Sequence, residues 1–155
     1  MAKRLLILGP SFRRNKTNDP LPALDRYDGV FFRVARKYLE KVKDVDVVVM
    51  RDDLLLVDGE ALMPYIPPAG DVWGRQYFSK EELGKAREKN EDFLDKKLRN
   101  RRYSEIFIAM GKKHREALPD LSGYNVRVIF PTHGGPGPKA RALREWIIRG
   151  CVSER

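Results

Sequence analysis

Four short segments of the chain are almost continuously apolar and rich in valine and isoleucine. They are Arg4–Leu8, Val45–Met50, Glu105–Met110 and Val126–Phe130. Strands that are covered on both faces have this pattern, because neither row of side chains faces water. The pattern therefore predicts four strands of a mainly parallel sheet.

Apolar residues recur at helical spacing in the segments that follow these strands. Ser79 with Glu82 three residues later is a capping box, and Pro138 suits the first position of a helix. The predicted helices are one capped by Asp28 that runs to Lys43, one from Ser79 to about Asn100, a short one from Lys112 to Leu118, and one from Pro138 to Gly150.

The alternation of strands and helices predicts an α/β fold. We expect a three-layer sandwich in which helices cover both faces of a mainly parallel sheet of about four strands. A chain of 155 residues is long enough for one ordinary domain, so residues 1–155 are expected to form a single domain. Two long loops are predicted at 9–27 and 51–78, and the second is too long to be a simple connection.

Composition adds a charge argument. Lys and Arg number 31 against 22 Asp and Glu, which gives a formal charge of +9. Such a chain favours nucleic acid, phosphorylated ligands or anionic surfaces, although a merely soluble surface would have the same composition. A single cysteine, Cys151, excludes an internal disulfide and indicates a reducing compartment. The apolar stretch at the start is too short for a signal peptide, and no run approaches membrane-spanning length.

We therefore expect a cytoplasmic protein without a membrane partner. Only one glutamine, Gln76, occurs in a chain that is 34% charged. This composition is typical of heat-adapted proteins.

The loops that follow three of the predicted strands share glycine and basic residues. They are Gly9–Lys16, Gly111–Arg115 and His133–Arg141. If the strands are parallel, these loops meet at one edge of the sheet, where open α/β proteins place their ligands. That edge is expected to attract anions. An equally basic cluster, Lys96–Arg102, precedes a strand and is expected at the opposite edge.

Phosphate binding is the chemistry that these loops favour. Glycines let the backbone approach an anion, and helix starts offer free amide groups. The sequence after the last strand matches neither the Walker loop nor the GxGxxG fingerprint. A tight turn or a solvated loop would explain the same residues. The candidate phosphate-binding or nucleic-acid-binding residues are Ser11, Arg13, Arg14, Lys112, Lys113, Arg115, Gly134, Gly135, Gly137 and Lys139.

Three residues at the same predicted edge are candidates for acid–base catalysis: Asp52, His114 and His133. Ordinary loop histidines and an internal salt bridge from Asp52 are the simpler interpretations. No third ligand at metal spacing accompanies the histidines, so no metal and no cofactor are expected. Tyr65 and Trp73, in a loop rich in proline and glycine, are candidates for stacking on a base. Aromatic residues that pin the loop to the core would give the same pattern.

Several short motifs resemble small prokaryotic α/β domains related to the peroxide-stress protein YaaA. The motifs are Leu24–Arg33, Leu54–Asp58 leading to Pro64-Tyr65, Gly111–Arg115 before Leu118-Pro119, and Gly135 and Gly137 ahead of Trp146. The resemblance implies a compact α/β domain, a cytoplasmic role and contact with DNA, bases or nucleotides. Two positions depart from that family, which has Cys-Ser where this chain has Pro10-Ser11, and Tyr-Gly where it has Asp52-Asp53.

The leading functional hypothesis is a basic domain that binds nucleic acid or a nucleotide phosphate at the carboxyl ends of its strands. One alternative is an enzyme that acts on a nucleoside, a nucleobase or a phosphorylated metabolite in the same cleft. Another is a protein-interaction module of a nucleoprotein assembly. The residue pattern leaves all three open.

Overall fold

The computed structural model describes residues 3–68, 77–100, 102–131 and 134–152, and these residues form an α/β fold, as predicted. Its strands are β1 (Lys3–Leu8), β2 (Leu21–Pro22), β3 (Val45–Met50), β4 (Leu56–Asp58), β5 (Leu62–Met63), β6 (Tyr103–Ala109) and β7 (Arg127–Ile129). Its helices are α1 (Ala23–Arg26), α2 (Val30–Leu39), α3 (Lys80–Asn100), α4 (Lys112–Arg115) and α5 (Pro136–Val152). The four predicted strands correspond to β1, β3, β6 and β7.

The main sheet of the described residues has five strands in the order β4-β3-β1-β6-β7, one more than was expected. The pairs β3·β1, β1·β6 and β6·β7 are parallel. Strand β4 pairs with β3 in the antiparallel direction, which makes the sheet mixed. The sequence did not reveal β4 because its three residues are too few to establish a period.

The two long predicted loops also contain regular structure. Strands β2 and β5, one from each loop, form a two-stranded antiparallel ribbon in which Leu21 pairs with Met63. Helix α1 follows β2 directly. The expectation of two irregular loops is therefore wrong, because each segment finds its hydrogen-bonding partner in the other, far away in sequence.

The apolar side chains of β1 explain why its sequence shows no alternation. Leu5 and Ile7 belong to a buried cluster that includes side chains of α3, whereas Leu6 and Leu8 belong to a second cluster with side chains of α2 and α5. All four are fully buried. Burial of a side chain of this size contributes roughly 1.5–3 kcal/mol, so the central strand stabilises both clusters at once.

The helix starts follow the sequence signals in part. At the start of α3 the Ser79 N–H donates to Glu82 Oε1 at 3.1 Å, and the Glu82 N–H donates to Ser79 Oγ at 3.0 Å, which confirms the capping box. Helix α2 is capped by Gly29 rather than by Asp28, whose carboxylate instead pairs with arginines of α2. Helix α5 begins at Pro136, two residues before the predicted start.

Parallel pairing places the carboxyl ends of β1, β3, β6 and β7 at one edge of the sheet. Leu8 pairs with Val49 on one side and with Ala109 on the other. The loops that leave β1 and β6 are in contact, since a Cβ atom added to Gly9 would lie 2.4 Å from Met110 Cβ. Only glycine permits this close approach. We call this region the carboxyl edge and define it by residues 9–16, 29–30, 51–55, 110–116 and 134–139.

Within the described residues, no helix combines the length and the apolar character that a membrane span needs. The longest, α3, carries several exposed pairs of opposite charge on its outer side. Lys85 with Glu81, Lys96 with Asp92 and Arg99 with Asp95 lie four residues apart, at 3.2, 3.3 and 2.9 Å.

Asn90 connects α3 to two other segments. Its side-chain amide donates to Leu54 O at 2.8 Å and to Ala117 O at 2.9 Å, and its carbonyl accepts from Leu56 N at 3.0 Å. The residue is 1% exposed. It therefore satisfies three buried backbone groups that helix and sheet bonding leave unpaired.

We predict that Asn90→Ala lowers the free energy of unfolding by roughly 2–4 kcal/mol, because it leaves buried polar groups without partners. Urea denaturation followed by circular dichroism measures the change. Asn100→Ala, at the exposed end of the same helix, is the control and is expected to change little. A loss below about 0.5 kcal/mol for Asn90→Ala would contradict the role assigned to these hydrogen bonds.

Candidate functional site

The carboxyl edge contains most of the residues that the sequence singled out. Ser11, Arg13 and Arg14 follow β1, Asp52 follows β3, and the Lys112–Arg115 segment follows β6. Gly134, Gly135, Gly137 and Lys139 lie at the start of α5. The predicted catalytic residue His133 and the predicted stacking residue Trp73 lie outside the described residues.

A buried ion pair joins two loops of this edge. Arg14 Nη1 lies 2.7 Å from Asp52 Oδ2, and Arg14 Nη2 lies 3.1 Å from Asp52 Oδ1. The Arg14 side chain is 3% exposed and that of Asp52 is 23% exposed. The same guanidinium donates to the carbonyls of Ser11, Phe12 and Ile66. All of these acceptors belong to the protein itself. The sequence suggested instead that the Arg14 side chain would be free to bind a phosphate.

Tyr27 completes this group, which we call the Arg14–Asp52–Tyr27 cluster. The Tyr27 hydroxyl donates to Asp52 Oδ2 at 3.0 Å, and its ring lies 5.1 Å from the Arg14 guanidinium carbon. Burial, followed by the charge and hydrogen bonding of Asp52, raises the pKa of Tyr27 above its ordinary range. The phenol therefore stays protonated and remains a donor.

The turn that presents Asp52 is strained at one residue. Leu54 has φ 71°, and its N–H donates to Arg51 O at 2.9 Å. A left-handed backbone costs energy for a residue with a branched side chain, and such strain persists only where the surroundings enforce it. Here the Leu54 side chain is 2% exposed, so its burial in the core holds the turn in place.

Ser11 organises the loop after β1. Its hydroxyl donates to Arg13 O at 2.6 Å and accepts from Gly29 N at 3.2 Å. The serine thereby links the loop to the start of α2. Its predicted contact with a ligand would compete with these internal hydrogen bonds.

Four basic side chains at the carboxyl edge have no ion pair or hydrogen bond within the described part of the chain. They are Arg13, Lys16, Lys112 and Lys139. Two further cations of this edge lie against aromatic rings, since Lys113 Nζ is 5.0 Å from the Tyr77 ring and the Arg115 guanidinium carbon is 4.9 Å from the Phe130 ring. Arg51 pairs with Asp53 at 2.7 Å.

The basic cluster at the opposite end of the sheet differs in this respect. Its members Lys96, Lys97 and Arg99 each pair with a carboxylate, of Asp92, Asp58 and Asp95 respectively. The positive charge of these three is thus neutralised locally, whereas Arg102 has no ion pair among the described residues. Arg101 of that cluster lies outside the described residues.

The helices that start at the carboxyl edge lack the caps that neutralise helix starts elsewhere. Gly29 and Gly111 cap α2 and α4 without a side-chain hydrogen bond, and no acidic residue occupies the first turn of α2, α4 or α5. In contrast, α3 has Glu81 and Glu82 there. Free amides at helix starts attract anions, so these helices add to the positive potential of the edge.

The glycines before α5 are not equivalent. Gly134 has φ 82°, which a residue with a side chain rarely adopts, and a Cβ atom there would lie 2.8 Å from Pro138 Cβ. Gly135 and Gly137 have no atom within 4 Å of a hypothetical Cβ. Their backbone is therefore open on the outer side, as an approaching anion would require.

His114 lies half-buried on α4. Its ring is roughly perpendicular to that of Phe78, with centroids 5.8 Å apart, and its buried Nε2 atom has no hydrogen-bond partner among the described residues. Burial lowers the pKa of His114, and the nearby negative charge of Asp52 offsets this only in part. The imidazole is therefore neutral at neutral pH, but its Nε2 atom would reach a substrate only after a local rearrangement.

Tyr65 was predicted to stack on a base. In the structure it is half-buried, and the guanidinium carbon of the buried Arg26 lies 5.7 Å from its ring centre. Its contact with a nucleobase stays a prediction. Sequence reasoning missed Tyr27 and Phe78, because a lone aromatic residue in a long loop carries no signal of its partner.

No group of three or more His, Cys, Asp or Glu side chains in the described ranges is arranged to hold a metal ion. Comparisons of the chain with models of known protein families, with curated proteins and with solved structures give no match. The interpretation of the site therefore depends on its geometry and charges.

We predict that Asp52→Ala lowers the free energy of unfolding by roughly 3–5 kcal/mol, because it leaves the buried Arg14 guanidinium unpaired. The neighbouring Asp53→Ala is the matched control. Its partner Arg51 is 37% exposed, so the loss is expected to be about 0–1 kcal/mol. Chemical denaturation of both variants makes the comparison, and equal losses would contradict the special role of the buried pair.

We predict that the ring signals of His114 titrate below the ordinary value of 6.5. The unfolded chain takes up this proton first, so His114 contributes stability above pH 6.5 that is lost as the pH falls toward its folded pKa. Proton NMR measures the midpoint, and His114→Gln assigns the signal, since the chain has only two histidines. A midpoint at or above 6.5 would refute the burial argument.

Proposed function

We propose that this protein binds phosphate groups of a nucleic acid or a nucleotide at its carboxyl edge. One observation carries the proposal. Arg13, Lys16, Lys112 and Lys139 at the carboxyl edge have no ion pair within the described residues, whereas Lys96, Lys97 and Arg99 at the opposite end are neutralised by carboxylates. Unpaired like charges repel one another, and an anion relieves this repulsion.

Arg13, Lys112 and Lys139 are the phosphate ligands in this proposal. Arg13 lies in the loop after β1, Lys112 begins α4 and Lys139 lies near the start of α5, so a bound phosphate would be approached from several sides. Arg13 can offer two parallel N–H donors, and the lysines act as point charges. The open backbone at Gly135 and Gly137 leaves room for further contacts from amide groups.

We infer a three-layer arrangement, with α2 and α5 over one face of the mainly parallel sheet and α3 over the other. The chain leaves β1 toward β3 and later enters β6 on the other side of β1. The crevice at such a change of direction is where open α/β folds bind ligands. Gly9, Gly111 and the uncapped start of α4 lie there, which supports the proposed location.

The relationship to domains related to YaaA, the cytoplasmic location and the contact with DNA or nucleotides belong to this proposal. The resemblance supports it because Gly111–Arg115, one of the motifs that carry the resemblance, contributes Lys112 and Lys113 to the carboxyl edge. The motif at Leu54–Asp58 includes the strained turn residue Leu54.

An enzyme acting on a nucleoside, a nucleobase or a phosphorylated metabolite is the second candidate, and His114 favours it. A neutral, half-buried imidazole can act as a general base. Asp52 is a poorer candidate, because Arg14 and Tyr27 already donate to both of its oxygens. If the chain is such an enzyme, His114→Gln abolishes turnover without weakening phosphate binding.

We predict that the protein binds a fluorescein-labelled DNA duplex with an affinity that falls steeply with salt. If about four phosphates are neutralised, the log–log slope is about −3.6. The double variant Arg13→Ala Lys112→Ala is expected to bring the slope to about −1.8, because each lost phosphate contact removes about 0.9. Fluorescence polarisation across a salt series gives both values.

The matched control is Arg99→Ala Lys96→Ala, which removes the same charge from the opposite end of the sheet. It is expected to keep the slope of the original protein. Equal effects of the two double variants would show that only net charge matters. Failure of the unmodified chain to bind either duplex or nucleotide would overturn the proposed function.

A further inference from the structure

A second positive surface lies between α2 and α5, on the outer side of these helices. A groove of about 310 Å³ is lined there by Arg33, Val34, Lys37, Tyr38, Ala140, Arg141 and Arg144. Four of these residues are cations and none is acidic. The volume is on the order of ten water molecules, which is room for a backbone phosphate and part of its sugar.

Most of the charge in this groove is not neutralised. Arg33 pairs with Asp28 at 2.9 Å, but Lys37, Arg141 and Arg144 make no ion pair with a carboxylate in the part of the chain that the structure describes. Lys37 Nζ lies 5.4 Å from the ring centre of Tyr38. Like charges held this close together destabilise the free protein, so a bound anion would be favoured.

The pKa of Tyr38 reflects the positive electrostatic potential of this groove. Burial works to raise its pKa, but Arg144 and Lys37 outweigh this and lower the pKa of the Tyr38 phenol below its ordinary value. A lowered phenol pKa means that negative charge is stabilised at this point.

The positions of the cations on α5 point the same way. Lys139 lies in the first turn of the helix, where the helix dipole is positive and acidic side chains are preferred, and Arg141 and Arg144 follow in the next two turns. Arg141 and Arg144 are three residues apart and share a face. The helix dipole and the side chains therefore add to one another instead of cancelling.

We propose that the α2–α5 groove binds the sugar-phosphate backbone of a nucleic acid that extends beyond the carboxyl edge. This inference rests on the proposed function, because α5 starts at the carboxyl edge and Lys139 belongs to it. The groove thereby lengthens the binding surface beyond the carboxyl edge, along the backbone of the nucleic acid. A nucleic acid fits better than a membrane, since the apolar lining residues, Val34 and Ala140, are half-buried and buried and offer nothing to insert into lipid.

The test compares three ligands, a DNA duplex, a nucleoside triphosphate and anionic vesicles, with three variants of the full chain, one of which is the carboxyl-edge variant Arg13→Ala Lys112→Ala. The groove variant combines Lys37→Ala, Arg141→Ala and Arg144→Ala, all at exposed positions. The matched control combines Lys85→Ala, Lys89→Ala and Lys96→Ala on the exposed side of α3. Fluorescence polarisation is measured with a long DNA duplex and with a labelled nucleoside triphosphate, and co-sedimentation with vesicles that contain phosphatidylserine.

We expect the original protein to bind the long duplex with a log–log salt slope about 2.7 larger in magnitude than the −3.6 of the carboxyl edge alone, and the groove variant to lose this addition. The affinity of the groove variant for the nucleoside triphosphate is expected to stay unchanged, because that ligand occupies the carboxyl edge alone. The control should bind both ligands like the original protein. Unchanged folding of each variant is verified by circular dichroism.

The outcomes separate the two proposals. If the groove variant matches the control on the duplex while Arg13→Ala Lys112→Ala loses binding, the groove inference is overturned and the proposed function stands. If the groove variant loses duplex binding while the carboxyl-edge variant does not, the proposed function is overturned, and with it the inference that the groove extends a binding site at the carboxyl edge. Vesicle binding that depends on the groove, without duplex binding, would assign the groove to an anionic lipid surface and overturn the inference.

Discussion

The Arg14–Asp52 ion pair is the interaction on which the geometry of the carboxyl edge depends. It connects the loop after β1 to the turn after β3, across 38 positions of sequence. The Arg14 guanidinium also binds the carbonyl of Ile66, which brings in the segment after β5. A buried charge pair stabilises little in net terms, but it specifies one arrangement, because any other leaves a charge without its partner. Three chain segments are thereby fixed relative to one another.

The strained turn at Leu54 and the Tyr27 hydroxyl depend on the same pair. Tyr27 donates to the carboxylate that Arg14 holds, and Leu54 ends the turn that presents that carboxylate. Arg14, one of the basic residues of the loop after β1, therefore has a structural role in this cluster. The neighbouring Arg13, which is exposed, remains outside the cluster. Of these two adjacent arginines, the buried Arg14 is paired with a carboxylate, whereas the exposed Arg13 has no such pair within the described residues.

Local signals in the sequence predicted a large part of the fold. The four short apolar runs predicted β1, β3, β6 and β7, and the Ser79–Glu82 spacing predicted the start of α3, because these patterns depend on neighbours in the chain. Strand β4 and the β2·β5 ribbon could not be predicted in this way. Strand β4 has three residues, and β2 and β5 have two each, so none shows a period of its own, and the ribbon joins segments that are far apart in sequence.

The candidate site was predictable to a similar extent. Parallel strands bring their following loops to one edge, so the gathering of Ser11, Asp52 and His114 there follows from the strand pattern. Which cations are free could not be predicted, since Arg13 and Arg14 look alike in sequence. The half-buried environment of His114 was equally hidden, because Phe78 approaches it from a segment 36 positions earlier along the chain.

Strand β4 has one more effect, on how this protein meets other molecules. A long exposed parallel strand at the end of a sheet is a template on which another chain can add a strand. Here β3 is covered by only three antiparallel residues, and the last of these, Asp58, is held by Lys97 of α3. The outermost strand is therefore short and ends in a charge. This edge of the sheet therefore resists pairing with a strand of another molecule. Charge repulsion between the cationic chains is thus not the only feature that opposes aggregation.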